Sequence, residues 1–132
     1  MIAGALATID LSVIAQNLRV LQGMCGTSEV AATIKADGYG LGALPLAKTL
    51  YQTGCRSFYV AHLEEALSLR ALHTDTTIYV LHGIPENSEA EAFAKAITPI
   101  ITDLGALSRM RNAAKKIGRT IPVNVHVDTG MN

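Results

Sequence analysis

Residues Pro122 to Asn132 read PVNVHVDTGMN. Valines alternate there with an asparagine and a histidine, so the stretch reads as a strand with one apolar and one polar face. Between two helix layers a polar strand face has nowhere to go, whereas in a closed barrel it looks into the lumen. The stretch then runs into Asp128, Thr129 and Gly130, turn residues with no amphipathic segment behind them. A complete five-stranded doubly wound sheet, the competing architecture, would normally cover its last strand with a helix. The reading therefore points to an α/β chain built as a parallel (β/α)8 TIM-like barrel, of which about five strands are here. A full barrel takes roughly 200 residues or more, against 132. The chain is expected to be the first part of something larger, with the fifth strand left as an open edge.

Upstream, the pattern repeats. Asp10 opens a helix with Leu11, Ile14, Leu18 and Leu21 on one side and Ser12, Gln16, Asn17, Arg19 and Gln22 on the other. Val30 to Lys35 follows as a short apolar strand expected to be buried on both faces. A helix from about Leu44 to Gln52, with Pro45 in its first turn, leads to a strand at Ser57 to Ala61. The helix His62 to Leu72 leads to Thr77 to Leu81, and a helix capped by Asn87 or Ser88 leads to Thr98 to Ile101. Asp103 caps a last helix ending at Gly118, ahead of the fifth strand, Pro122 to Val127. Strand and helix alternate throughout, and each connection is long enough for a right-handed crossover.

Lys35 interrupts this order. It closes an apolar strand, where an ammonium is rarely buried without a partner. In parallel α/β folds, ligands gather at the carboxyl ends of the strands. Stripping water from an amine there favours its neutral form, the nucleophile that condenses with a carbonyl. The loop behind it reads ADGYGLG. Gly38, Gly40 and Gly42 allow a tight turn and a close approach, and Tyr39 carries a phenol able to donate to an anion. From spacing alone, a plain turn with a solvated lysine stays open beside the functional reading. Neither GxGxxG nor GxxxxGK[ST] is present, so a mononucleotide cradle has little support.

Bulk properties narrow the ligand. Eleven basic and eleven acidic residues cancel, and no basic face stands out. That argues against nucleic acid or an anionic membrane and for a small molecule. The apolar start MIAGALATID lacks a basic region and is too short to span a bilayer, so a cytoplasmic chain is expected. Cys25 and Cys55 are expected to be reduced core thiols.

The segments ATIDLSVIAQNLRVL, IKADGYGLG, VAHLEEALSLR and HVDTGMN together resemble the amino-terminal part of bacterial alanine racemase, in that family's order and spacing. The resemblance implies a pyridoxal 5′-phosphate enzyme with a barrel, a C-terminal β domain and a homodimeric assembly. It further implies interconversion of L- and D-alanine in the supply of D-alanine for peptidoglycan. Lys35 matches the lysine that carries the cofactor and serves as one of two acid–base groups. Tyr39 matches the tyrosine that hydrogen-bonds the cofactor phosphate, and Leu81 a barrel-lining position near the cofactor. The second base, a partner-subunit tyrosine, has no counterpart in this chain, so the 132 residues alone are expected to be inactive.

Two positions depart from the family. Leu41 stands where a histidine is usual, and His126 where many members have a carbamylated lysine. An imidazole forms no such stable carbamate. Glu64 and Glu65 read as charges complementing a helix dipole. His62 and His82 read as packing rather than as metal ligands, and no metal is expected. Two other functions stay open: a pyridoxal-phosphate racemase acting on serine or a diamine amino acid, and a noncatalytic half-barrel that holds the cofactor.

Overall fold

A computed structural model describes residues 4–130 apart from His73. Met131 and Asn132, the end of the HVDTGMN segment, lie outside the described residues.

The Asp10 carboxylate accepts the Ser12 amide at 2.9 Å and starts α1 (Leu11–Met24). Ala15 and Leu18 are the residues that this helix buries. Beyond it come β1 (Ala32–Thr33), a short turn α2 (Lys35–Tyr39) and α3 (Ala43–Gln52). Then β2 (Ser57–Val60), α4 (Leu63–Arg70), β3 (Thr77–Val80), α5 (Glu89–Ala94), β4 (Ile97–Ile101), α6 (Leu104–Ile117) and β5 (Asn124–Val125) follow. Asp103 caps α6 through the Ala106 amide, and Gly118, at φ 65°, ends it in the left-handed conformation that glycine adopts without cost.

The five strands form one parallel sheet in the order β1-β2-β3-β4-β5. This sequential order separates the two architectures left open by strand count. A doubly wound sheet reverses its order midway so that helices cover both faces. Sequential right-handed crossovers place every helix on one face, which is the arc of a barrel. Side chains agree with the arc. Phe58, Val60, Ile78 and Val80 point under the helices and are at most 1% exposed. Tyr59 and Tyr79 alternate with them onto the other face, where they are only half-buried and stack at 4.5 Å.

Some expectations need correction. Of Val30 to Lys35, only Ala32–Thr33 is strand, and neither face of it is buried. The cause is position: β1 is an edge of the sheet, so one of its flanks has no neighbour. At the other edge the expected strand Pro122 to Val127 shrinks to Asn124–Val125 for the same reason. Cys55 is a buried thiol as expected, but Cys25 is exposed, because it follows the end of α1 and not a strand. Pro99 is accommodated in β4 at a handover: pairing with β3 ends at Val80↔Pro99, and pairing with β5 begins at Ile100.

Candidate functional site

At the carboxyl end of β1, Ile34 donates its amide to the Tyr59 carbonyl at 2.9 Å, the last rung of the ladder. Ile34 is buried, 3% exposed, and anchors the strand end in the core. Lys35 comes next and is half-buried. It forms no ion pair among the described residues. Register extends the comparison across the sheet: Thr33 pairs with Tyr59, and Tyr59 with Tyr79. Just past the carboxyl ends of these three strands stand Lys35, Ala61 and Leu81. Leu81 is half-buried and donates its amide to the Val60 carbonyl at 2.9 Å. Tyr39, on the loop above, is 62% exposed. The three residues singled out in the sequence thus share one end of the sheet, and among the described residues no ion pair joins them.

The loop itself is not the simple glycine turn that the sequence suggests. Ala36, Asp37, Gly38, Tyr39 and Gly40 all have positive φ, from 52° to 81°, and so wind one left-handed turn. That handedness costs about 1–2 kcal/mol at a residue carrying a Cβ. Backbone bonds hold part of it: Gly38 to the Ile34 carbonyl at 3.0 Å, and Gly40 to that of Ala36 at 2.9 Å. Two carboxylates hold the rest. Asp37 accepts the Ala43 amide at 2.7 Å, and Glu65 accepts the Ala36 amide at 2.6 Å. Gly38 is buried, and a Cβ there would collide with the Leu46 side chain.

The second oxygen of Glu65 accepts the amides of Ala61 at 2.8 Å and His62 at 3.0 Å. Burial alone would push this carboxyl up. The amides of His62, Ala61, Ala36 and Asp37 outweigh that and hold it below the ordinary glutamate value. Glu65 is therefore more than the dipole-complementing charge expected of it. Its sequence signal was a glutamate at the third position of a helix, half of a capping box. Nothing local revealed the reach to Ala36, 29 residues away. The Tyr59–Tyr79 stack was also missed, although tyrosine is third in both SFYV and TIYV and the strands pair in that register.

His62 and His82 meet edge to face, with 4.7 Å between ring centroids. Among the described residues no group of three or more His, Cys, Asp and Glu could hold a metal ion. His126 is exposed and donates its amide to the Ile101 carbonyl at 2.9 Å, continuing the pairing of β5. No helix among the described residues is long and apolar enough to cross a membrane.

Comparison with known proteins agrees with this geometry. Residues 9–132 match the family described as alanine racemase, N-terminal domain. The catabolic alanine racemase of Agrobacterium fabrum is 42% identical over 125 residues, which cover 94% of this chain and 32% of that protein. The alanine racemase of Methylobacterium nodulans is 43% identical, over 98% of this chain and 35% of its own length. Among solved structures, the alanine racemase from Bartonella henselae with covalently bound pyridoxal phosphate superposes with a TM-score of 0.89 at 36% identity, covering 94% of this chain and 35% of that one. The chain spans about a third of the length of the curated relatives it matches. It belongs to the alanine racemase N-terminal domain family.

Proposed function

We propose that this chain is the part of a pyridoxal-phosphate-dependent alanine racemase that carries the cofactor lysine, Lys35. The observation that carries the reading is Lys35 itself. It is a half-buried lysine at a strand's carboxyl end, with no ion pair among the described residues, followed by a loop pinned by two carboxylates. The donor set fits the cofactor. An amine without a partner suits its aldehyde, and the exposed Tyr39 hydroxyl, which has no hydrogen-bond partner among the described residues, suits its phosphate. When bound, pyridoxal phosphate supplies an electron sink that acidifies the Cα–H bond of an amino acid. Lys35 holds the cofactor and moves a proton at one face of the substrate Cα. The Tyr39 hydroxyl would donate a hydrogen bond to the phosphate, and the Leu81 side chain would present an apolar wall that keeps water away. The acid–base group for the opposite face is assigned to a second copy in a homodimer. The remaining barrel strands and a C-terminal β domain are assigned to the part of the relatives that this chain does not match.

The test has two parts. Borohydride reduction of the full-length gene product loaded with pyridoxal phosphate, followed by peptide mapping, should place the label on Lys35. A label on the exposed Lys48 or Lys95 would overturn the assignment. Chiral separation after incubation with L-alanine should show D-alanine. Turnover of serine or a diamine amino acid without alanine would favour a related racemase, and labelling without any turnover a noncatalytic cofactor holder.

The cellular role has two versions. We propose supply of D-alanine for peptidoglycan in the cytoplasm. The catabolic names of two relatives, from Agrobacterium fabrum and Mesorhizobium japonicum, favour a role in alanine breakdown. Deleting the gene separates them: dependence on added D-alanine marks the first, and failure to grow on alanine as carbon source the second.

A further inference from the structure

We propose that Glu65 is a positioning residue for Lys35: its carboxylate fixes the peptide group directly after the lysine and so sets the direction in which the amine leaves the sheet. This rests on the reading of Lys35 as the cofactor lysine. A carboxylate at the third position of a helix ordinarily serves that helix's own first amides. One oxygen of Glu65 does this, accepting from Ala61 and His62. Its other oxygen leaves the helix and takes the Ala36 amide at 2.6 Å, across from β2 to the loop after β1. Ala36 is the first residue of the left-handed turn, at φ 52°. The conformation of its amide therefore decides whether the chain reverses hand directly behind Lys35 or continues as ordinary extended strand.

No ion pair joins Glu65 to Lys35. Glu65 acts through the backbone, as a bridge between two adjacent strand ends. Three amides hydrogen-bond this one carboxylate, and together with the nearby Asp37 amide they hold it below the ordinary glutamate value despite partial burial. A bridge of this kind holds a strained loop where packing alone is thin: Ala36, Asp37 and Tyr39 are all exposed.

The experiment uses the full-length gene product with pyridoxal phosphate as the probe. Glu65→Gln keeps the size but can offer only one acceptor oxygen to the two groups of amides. It should weaken equilibrium retention of the cofactor by about tenfold and lower the visible absorbance of the lysine-bound form. Glu64→Gln, on the neighbouring exposed residue, should change neither. Adding Ala36→Gly to Glu65→Gln should recover part of the loss, since glycine takes positive φ without a carboxylate to hold it. If the wild type carries the cofactor on Lys35 and Glu65→Gln retains it equally, with only thermal stability reduced, Glu65 is a helix cap and the proposal fails.

Should the wild type not couple the cofactor to Lys35, the cofactor reading fails by itself. Amide hydrogen exchange then decides the geometry: loss of Ala36 protection in Glu65→Gln upholds the bridge, and unchanged protection overturns it. Should Glu65→Gln not fold, Glu65→Asp takes its place. It keeps the charge and the near amides but shortens the reach to Ala36, and the same loss is expected.

Discussion

Asp37 and Ala43 are joined across the lysine loop, the carboxylate of the first accepting the amide of the second at 2.7 Å. The N-cap of α3 is Gly42, which has no side chain to offer, so the cap comes from inside the left-handed turn. Loop and helix are consequently one unit: whatever unwinds the turn also uncaps α3. Asp37→Ala should lower stability by about 1 kcal/mol, the usual value of an N-cap. Asp37→Asn should lose much less, because asparagine tolerates positive φ and keeps an acceptor oxygen. Denaturant midpoints of the full-length protein at constant slope are the measurement. Equal losses in the two variants would mean that charge, and not the hydrogen bond, holds the helix.

Gly38 and Gly40 differ in why they are glycine. Both have positive φ, 64° and 81°, but only Gly38 is packed, against Leu46 and the Ala43 backbone. Gly40→Ala should cost about 1 kcal/mol for conformation alone. Gly38→Ala adds overpacking of the core and should cost about 2–4 kcal/mol in total. Thermal or denaturant unfolding of both variants checks the order, and a reversed order would show that the turn is free to shift away from α3.

The Glu65 carboxyl makes a specific pH dependence. Its folded value lies below the ordinary glutamate value of 4.5. The folded state therefore binds the proton less readily than the unfolded one. Stability from this group is full above 4.5 and is lost as pH falls through the lowered folded value. Wild type and Glu65→Gln should accordingly differ most near neutral pH and converge in acid. Denaturation midpoints measured down the acid limb test this. A constant gap at all pH values would show that the carboxylate is no more stable ionised in the folded chain than in the unfolded one.

Tyr39 is 62% exposed, and its hydroxyl has no hydrogen-bond partner among the described residues. Removing that hydroxyl in Tyr39→Phe should weaken retention of pyridoxal phosphate by about 1–3 kcal/mol, the range for a hydrogen bond to a charged group. Fold stability should stay within about 0.5 kcal/mol, as for other surface substitutions. An unchanged cofactor titration would leave Tyr39 no role beyond the loop.

The alternation of apolar strands and amphipathic helices was legible because each element carries its own period. Caps at Asp10 and Asp103 lay where side-chain chemistry places them. Lys35 was legible as an anomaly, a charge ending an apolar run. What escaped was anything decided between elements. The short β1 and β5 follow from being sheet edges, which no residue within them announces. The left-handed turn contains alanine, aspartate and tyrosine, and three glycines nearby suggested freedom where the structure has constraint. Part of its constraint comes from Glu65, 29 residues from the amide that it binds.

One helix carries this constraint at its beginning and another at its end. Arg70 closes α4 by donating to the carbonyls of Thr76 at 2.8 Å, Lys95 at 2.9 Å and Ala96 at 3.0 Å, at the start of β3 and ahead of β4. Glu65 opens the same helix by gripping the lysine turn. With both ends clamped to different strands, α4 works as a strut of fixed length, and neither end can fray without loosening its loop. The feet of β3 and β4 and the turn behind Lys35 are thereby tied to the two ends of one helix. Truncating Arg70 would release three carbonyls at the feet of β3 and β4 and leave α4 held to its neighbours from the Glu65 end.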